Sequence, residues 1–349
     1  MTQVVPISPF YFGIGFSLIF LIKFCYEEPT QKFFVINYGE DYIVIFFVFF
    51  LMMHILVNTV VNSIPLKYPL LTILSFLFFL FSFGVFQCSK DVLIKTFCYL
   101  KYVTTILLTI ECIYRFTHPE NLEWAKNTVN FFYMFKFSSI MFFDTNETGF
   151  FIEMIFIFFL YLSEKKLLPF SLGEKSIFFC FLCLSFSRAA VIGFCVAVCY
   201  WYFFRKLNFF VKCFIIFILL ISVSSIIFFL SKDGSFLTKI DIFLKTKNYL
   251  LNASTRDLLL GIGLNNSITA LDGIYGHNYI SLFIIEFGLI GFFLFVSFLF
   301  FLFLNCRDCA FILLAYFVTG LSFAPYFLPY FYLYLGIMYN LKKYNMLDY

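Results

Sequence analysis

The stretch "FFVKCFIIFILLISVSSIIFFL", residues 209–230, carries a single charged side chain, Lys212, and "YIVIFFVFFLMMHILVNTVV", residues 42–61, carries no lysine, arginine or carboxylate. Runs of this kind have no polar face to offer water, so they belong either in a large protein core or in lipid. Composition decides between the two. The chain of 349 residues is 62% hydrophobic and 13% charged, has 60 phenylalanines, and has a mean hydropathy of +0.96, whereas soluble domains are roughly 45–50% apolar. A soluble fold of this length lacks the interior to hide that surface, so lipid must solvate most of it. The runs also lack the polar and apolar alternation of a barrel strand, which leaves helices as the way to satisfy the backbone within a bilayer.

The expected fold is therefore all-α: a polytopic transmembrane helix bundle forming a single integral membrane domain over 1–349. A requirement of about 20 apolar residues per span, relaxed where neighbouring helices bury the ends, gives about eleven spans. They fall near 9–24, 42–61, 69–87, 95–114, 148–163, 176–187, 189–204, 208–230, 278–303, 309–322 and 325–341. The N-terminal "MTQVVPISPF" lacks the basic start and cleavage site of a signal peptide, so the first run is expected to stay as a span. The basic residues of the short loops cluster at 164–175, 205–212 and 342–343, which puts those loops inside and the N-terminus outside. The two long loops, 115–147 and 231–277, are then extracytoplasmic. Within the second, "SFLTKIDIFLKTKNYLL" places Phe236, Ile240, Phe243, Leu244 and Leu251 at helical spacing with Lys239, Lys245 and Lys247 between them. That pattern fits an amphipathic helix lying on the membrane surface, and equally one packed on the bundle.

The 11 cysteines all lie in or beside apolar runs, which argues against a disulfide framework. "CRDC" (306–309) lacks a second pair of ligands to complete a zinc site. No phosphate loop, HExxH or loop Asp-x-Asp is present, so neither metal nor cofactor is expected. Nothing in the sequence points to a nucleic-acid partner.

Five polar features stand out against this background. In "EKSIFFCFLCLSFSRAAVIGFCVAVCYWYFFRK" (174–206), Arg188 divides two apolar arms of about 12 and 16 residues, each shorter than a ~30 Å hydrocarbon layer needs at 1.5 Å per residue. An arginine held at such depth is a functional candidate, most naturally for an anion, with an ion pair to Glu286 or Glu153 as the structural alternative. Arg256 precedes Gly261 and Gly263, which permit a tight turn or a close backbone approach; Asp257 beside it offers a plain surface pair. His277 stands at the mouth of the ninth span and suits proton transfer or helix capping, while His54 and His118 suit packing or solvation. Glu286 lies about 13 Å further along that helix on roughly its opposite side, where it orders neighbouring helices while Gly288 and Gly291 admit another backbone. The fifth feature, "FFDTNETGF" (142–150), opens a span with Asp144, Thr145, Asn146 and Glu147, residues suited to capping.

Taken in order, "FFDTNETGF", "SFSRAAVIGF" (185–194), "RDLLLGIGLNN" (256–266) and "GHNYISLFIIEFGLIGF" (276–292) resemble the motifs of the O-antigen polymerase and O-antigen ligase superfamily of bacterial inner-membrane proteins. The resemblance covers roughly 140–295. Thr145 departs from it, standing where the family often has proline, and the first 140 residues carry no matching motif. It implies transfer of an oligosaccharide from a polyprenyl diphosphate at the periplasmic face, without metal or nucleotide. Arg188 and Arg256 would bind the diphosphate and stabilise the leaving group, His277 would position or deprotonate the acceptor hydroxyl, and Asn278, Asn146 and Lys247 would add substrate contacts. The implied partners are a lipid-linked oligosaccharide, membrane lipid and a chain-length regulator protein. The short, phenylalanine-rich chain favours a polymerase over a ligase, and polar groups gathered at one face count against a transporter.

Overall fold

The computed structural model describes residues 39–83, 90–120, 134–136, 139–142, 145–208, 210–212, 234–274, 276–323 and 328–343. The expected spans near 9–24 and 208–230 lie outside this set or nearly so, as does most of the loop 115–147. Every regular element among the described residues is helical. In chain order the α-helices are α1 (Gly39–Val61), α2 (Lys67–Phe81), α3 (Lys90–Thr117), α4 (Thr145–Glu164), α5 (Leu172–Leu184), α6 (Arg188–Tyr202), α7 (Gly234–Asn252), α8 (Thr255–Leu260), α9 (Ser267–Ala270), α10 (Tyr279–Asn305), α11 (Ala310–Gly320) and α12 (Pro329–Lys343). Five helical stretches among the described residues are long and apolar enough to cross a membrane: α1, α3, α4, α6 continued through its 3-10 turn to Lys206, and α10.

Helix α3 has the arrangement that suits a lipid environment. Its buried residues are Leu93, Phe97, Lys101, Thr104, Leu108, Glu111 and Arg115, a stripe at spacings of three or four, and four of the seven are polar or charged. The opposite face exposes Tyr99, Tyr102, Val103, Ile106, Ile110 and Ile113. A helix in water would be arranged the other way round, with its charges outward and its isoleucines buried. Within a bilayer the inversion follows directly, because charged groups there face the bundle and find partners.

The chain divides into two compact units, one drawn from Phe78–Phe194 and Tyr330 onward, the other from Tyr38–Leu77 and Cys195–Pro329. The first is built around α4, whose side chains from Thr148 to Leu162 are buried on every side. The Phe158 ring stacks on Tyr334 of α12 at 4.6 Å, and Gly336 lets Ser82 sit against the α12 backbone, where Asn340 Nδ2 donates to Ser82 Oγ at 3.1 Å. Small residues of this kind allow the close helix approach on which packing in lipid depends. Two buried charges are matched in the same unit. Lys101 bonds Glu174, which also closes the capping box at the start of α5, and Arg115 Nε lies 3.8 Å from Glu111 Oε1.

The second unit is organised on α10, whose residues are apolar on all sides. Helix α1 presents Val44, Val48, Leu51 and Ile55 to its interior while Phe46, Phe49, Phe50 and Met53 stay exposed. Helix α7 packs Ile242 against Leu271 and Ile285, with Tyr249 alongside. Its other face leaves Leu237, Ile240, Phe243, Leu244 and Leu251 exposed; the last four belong to the stripe that the sequence spacing sets out. Lys245 turns back to Asp272 at 3.4 Å and Lys239 reaches Ser322 at 3.0 Å.

Candidate functional site

The expected straight ninth helix is broken. Gly288 has φ 68° and ψ −179°, so α10 consists of two helical segments joined at that residue. A side chain at this φ would be strained, and a Cβ on Gly288 would also meet Leu259 O and Gly261 N. The facing residue, Gly261, has φ 82°, and a Cβ there would meet the Glu286 carbonyl. Two glycines thus let the end of α8 touch the broken end of α10, backbone against backbone.

Breaking a helix in an apolar setting frees carbonyls that must be satisfied nearby. Here three successive ones are taken up. Ile285 O accepts from Ile262 N at 3.0 Å, and Glu286 O accepts from Gly263 N at 3.1 Å. Asn58 Nδ2 also donates to Glu286 O at 3.0 Å, and His54 Nε2 meets Phe287 O at 2.7 Å. A carbonyl only accepts, so His54 carries its proton on Nε2. The Glu286 side chain is fully buried, and its Oε1 accepts from Ser267 N at 3.2 Å at the start of α9. Gly291 gives room to the His54 ring, where the sequence reading expects a backbone.

The same face of α1 holds α8. Asn58 Nδ2 donates to Leu260 O at 2.5 Å, and Asn62 Nδ2 donates to Gly261 O at 3.1 Å. The exposed Arg256 is anchored through one nitrogen, Nη2, which donates to Val61 O at 2.8 Å and Asn62 Oδ1 at 3.2 Å. Ser254 caps α8 by accepting from Asp257 N. Burial pushes the Tyr249 phenol up to about 12, with the Asp257 charge adding to the effect, so it stays protonated and is not a base.

His277 is exposed and sits one residue before the helix cap. The capping is done by Asn278, whose Oδ1 accepts from Ser281 N at 2.8 Å. Lys247 is exposed on α7. Of the residues singled out from sequence in this unit, the fold gathers Arg256, Glu286, Gly288 and Gly291 around the end of α1, and places His277 and Asn278 about three turns before the break.

The other unit holds Arg188 and Asn146. Arg188 opens α6 as an exposed residue after the turn at Ser185–Ser187, where Phe186 takes a positive φ of 55°. Gly149 in the first turn of α4 packs on Ser185 and Ser187, and Thr148 bonds Ser139 at 3.0 Å, so Asn146 and Arg188 lie at the same end of their unit. Asp144 lies outside the described residues.

Three residues that organise the broken helix went unrecognised in the motifs: His54, Asn58 and Asn62. A signal was present, since they recur every fourth residue through a run whose only other polar residue is Thr59. Among the described residues no group of three or more histidines, cysteines and carboxylates could hold a metal ion. No protein-family model matches the chain, and no curated protein matches it either. The resemblance therefore rests on the motif residues themselves.

Proposed function

We propose that the chain is a multi-pass glycosyltransferase of the bacterial inner membrane, with about eleven spans and its 231–277 loop in the periplasm. It transfers a growing oligosaccharide from a polyprenyl diphosphate to a lipid-linked repeat unit, as a surface-polysaccharide polymerase. The observation that carries this reading is the meeting of two motifs. The G-x-G after Arg256 and the E-x-G-x-x-G after His277 are bonded backbone to backbone, at Ile262–Ile285 and Gly263–Glu286.

In this reading the acceptor hydroxyl attacks the anomeric carbon, and the bond from that carbon to the diphosphate oxygen breaks. The lipid diphosphate leaves with the electron pair, and His277 takes the hydroxyl proton. Arg256 stabilises the charge that develops on the leaving group. A guanidinium has five N–H donors; anchoring through Nη2 holds the group in place, and the Nε and Nη1 hydrogens, which point to different sides, can each donate singly to an anion oxygen. Arg188 is proposed to hold phosphate by a two-pronged contact, so a lysine in its place would fail nearly as badly as an alanine.

The test is a His277→Ala strain, with surface polysaccharide and extracted lipid-linked sugars analysed on gels. A polymerase defect leaves single repeats attached to the final carrier and removes longer chains. Full-length lipid-linked chains accumulating without attachment would indicate a ligase, and lipid-linked units stranded on the cytoplasmic side a transporter. Orientation is checked separately in a cysteine-free background. A cysteine at 247 should react with an impermeant thiol reagent in spheroplasts and one at 175 should not; the reverse pattern would remove the periplasmic site.

A further inference from the structure

We infer that Asn58 of α1 is a positioning residue, whose amide sets where Arg256 stands relative to the first half of α10, which follows His277. The inference rests on the reading of Arg256 as the diphosphate ligand. It concerns a helix to which no motif was assigned.

Asn58 is 2% exposed, and its Nδ2 donates at once to Leu260 O, the last residue of α8, and to Glu286 O, just before the break in α10. One planar NH2 group therefore spans two elements, and few side chains can take its place. A serine has one donor, an aspartate has none, and a lysine would bring a charge. The Oδ1 of Asn58 is buried with no hydrogen-bond partner, so the side chain acts here only as a donor.

Burial of a polar group in α1 does not by itself produce such a bridge. Thr59, the next residue, is also buried, yet its hydroxyl turns back to Ile55 O of its own helix at 2.6 Å. One turn beyond Asn58, Asn62 repeats the bridging arrangement with Gly261 O and Arg256. Arg256 lies four residues, about 6 Å, along α8 from the carbonyl that Asn58 holds. Releasing that carbonyl would therefore swing the guanidinium while leaving the α1 helix intact.

The decisive variant is Asn58→Asp, which keeps the shape and replaces both donors with acceptors facing two carbonyls. Asn62→Ala is a milder change at a half-exposed position, and Thr59→Val is the control. Each full-length protein in nanodiscs is measured for amide hydrogen exchange at Ile262 and Gly263, and for polymerisation of a lipid-linked repeat unit. Asn58→Asp is expected to speed exchange at both amides and to lower kcat about tenfold with KM little changed, the signature of lost transition-state stabilisation. Asn62→Ala should move both readouts the same way and less far, and Thr59→Val neither. Unchanged exchange in Asn58→Asp, or faster exchange with an unchanged kcat, would overturn the inference. Loss of the folded protein in both asparagine variants would also overturn it, by reducing these residues to a requirement of the fold. An inactive wild-type protein would instead sink the polymerase reading, and the exchange contrast between Asn58→Asp and Thr59→Val would still decide whether the amide holds α8.

Discussion

Two glutamates, Glu111 of α3 and Glu286 of α10, are buried to the same degree and do related work by different means. Each ties another segment to its helix through backbone N–H groups: Glu111 Oε2 accepts from Ile140 N and Met141 N, outside any helix, at 2.9 and 3.1 Å, and Glu286 Oε1 accepts from Ser267 N, the start of α9, at 3.2 Å. Glu111 lies in an unbroken helix and has Arg115 one turn along as its countercharge. Glu286 lies where its helix breaks, and the backbone carbonyls of Ile285, Glu286 and Phe287 are taken up there by His54, Asn58, Ile262 and Gly263. A charge pair stands or falls as a unit, because either partner alone is a buried charge. A network of neutral bonds to backbone carbonyls loses its members one at a time.

The contrast is most exposed to test at the charge pair. Removing either partner alone, as Glu111→Leu or Arg115→Leu, should cost about 3–5 kcal/mol, and removing both should cost clearly less than the sum. A double-mutant cycle from unfolding in detergent measures this, and simple additivity would show that the two charges are not coupled. Next in size is Gly288→Ala. The strain of a positive φ costs about 1–3 kcal/mol, and a Cβ would in addition meet Leu259 O and Gly261 N. The variant should melt earlier and expose the Ile262 and Gly263 amides; unchanged melting would mean that the break relaxes into a regular helix. His54→Phe keeps a ring beside Gly291 and leaves Phe287 O without its donor, at about 1–3 kcal/mol. A cost as large as that of Arg115→Leu would erase the distinction between shared and paired burial. Smallest is Thr59→Val, expected within about 0.5 kcal/mol because its hydroxyl serves only its own helix; a large loss there would mean that any change in this part of α1 is harmful.

Parts of this arrangement are legible in the sequence. The three-and-four spacing of Phe97, Lys101, Thr104, Leu108, Glu111 and Arg115 is present in the sequence, but the expected span ends at 114, and the structure carries the helix on to Thr117 with Arg115 buried. The two short apolar arms either side of Ser187 and Arg188 announce a joint, and the structure has α5 and α6 meeting there. The break in α10 is not legible in the same way. A glycine in an apolar run reads equally as a packing residue or a distortion, and Gly291, three residues on, keeps the helix that Gly288 breaks.

The sequence by itself determined that the chain is helical and has runs apolar enough to cross a membrane, where a helix satisfies the backbone hydrogen bonds internally. It also determined which polar residues stand out. Only the tertiary structure decided what those residues do. Whether Asn58 faces lipid or a carbonyl depends on α8 and α10, some two hundred positions later in the chain, coming against it. Whether Gly288 bends depends on Gly261 being there to accept the contact. Hydrogen bonds reach about 3 Å, so a pattern within one helix can fix that helix's faces but not what lies against them.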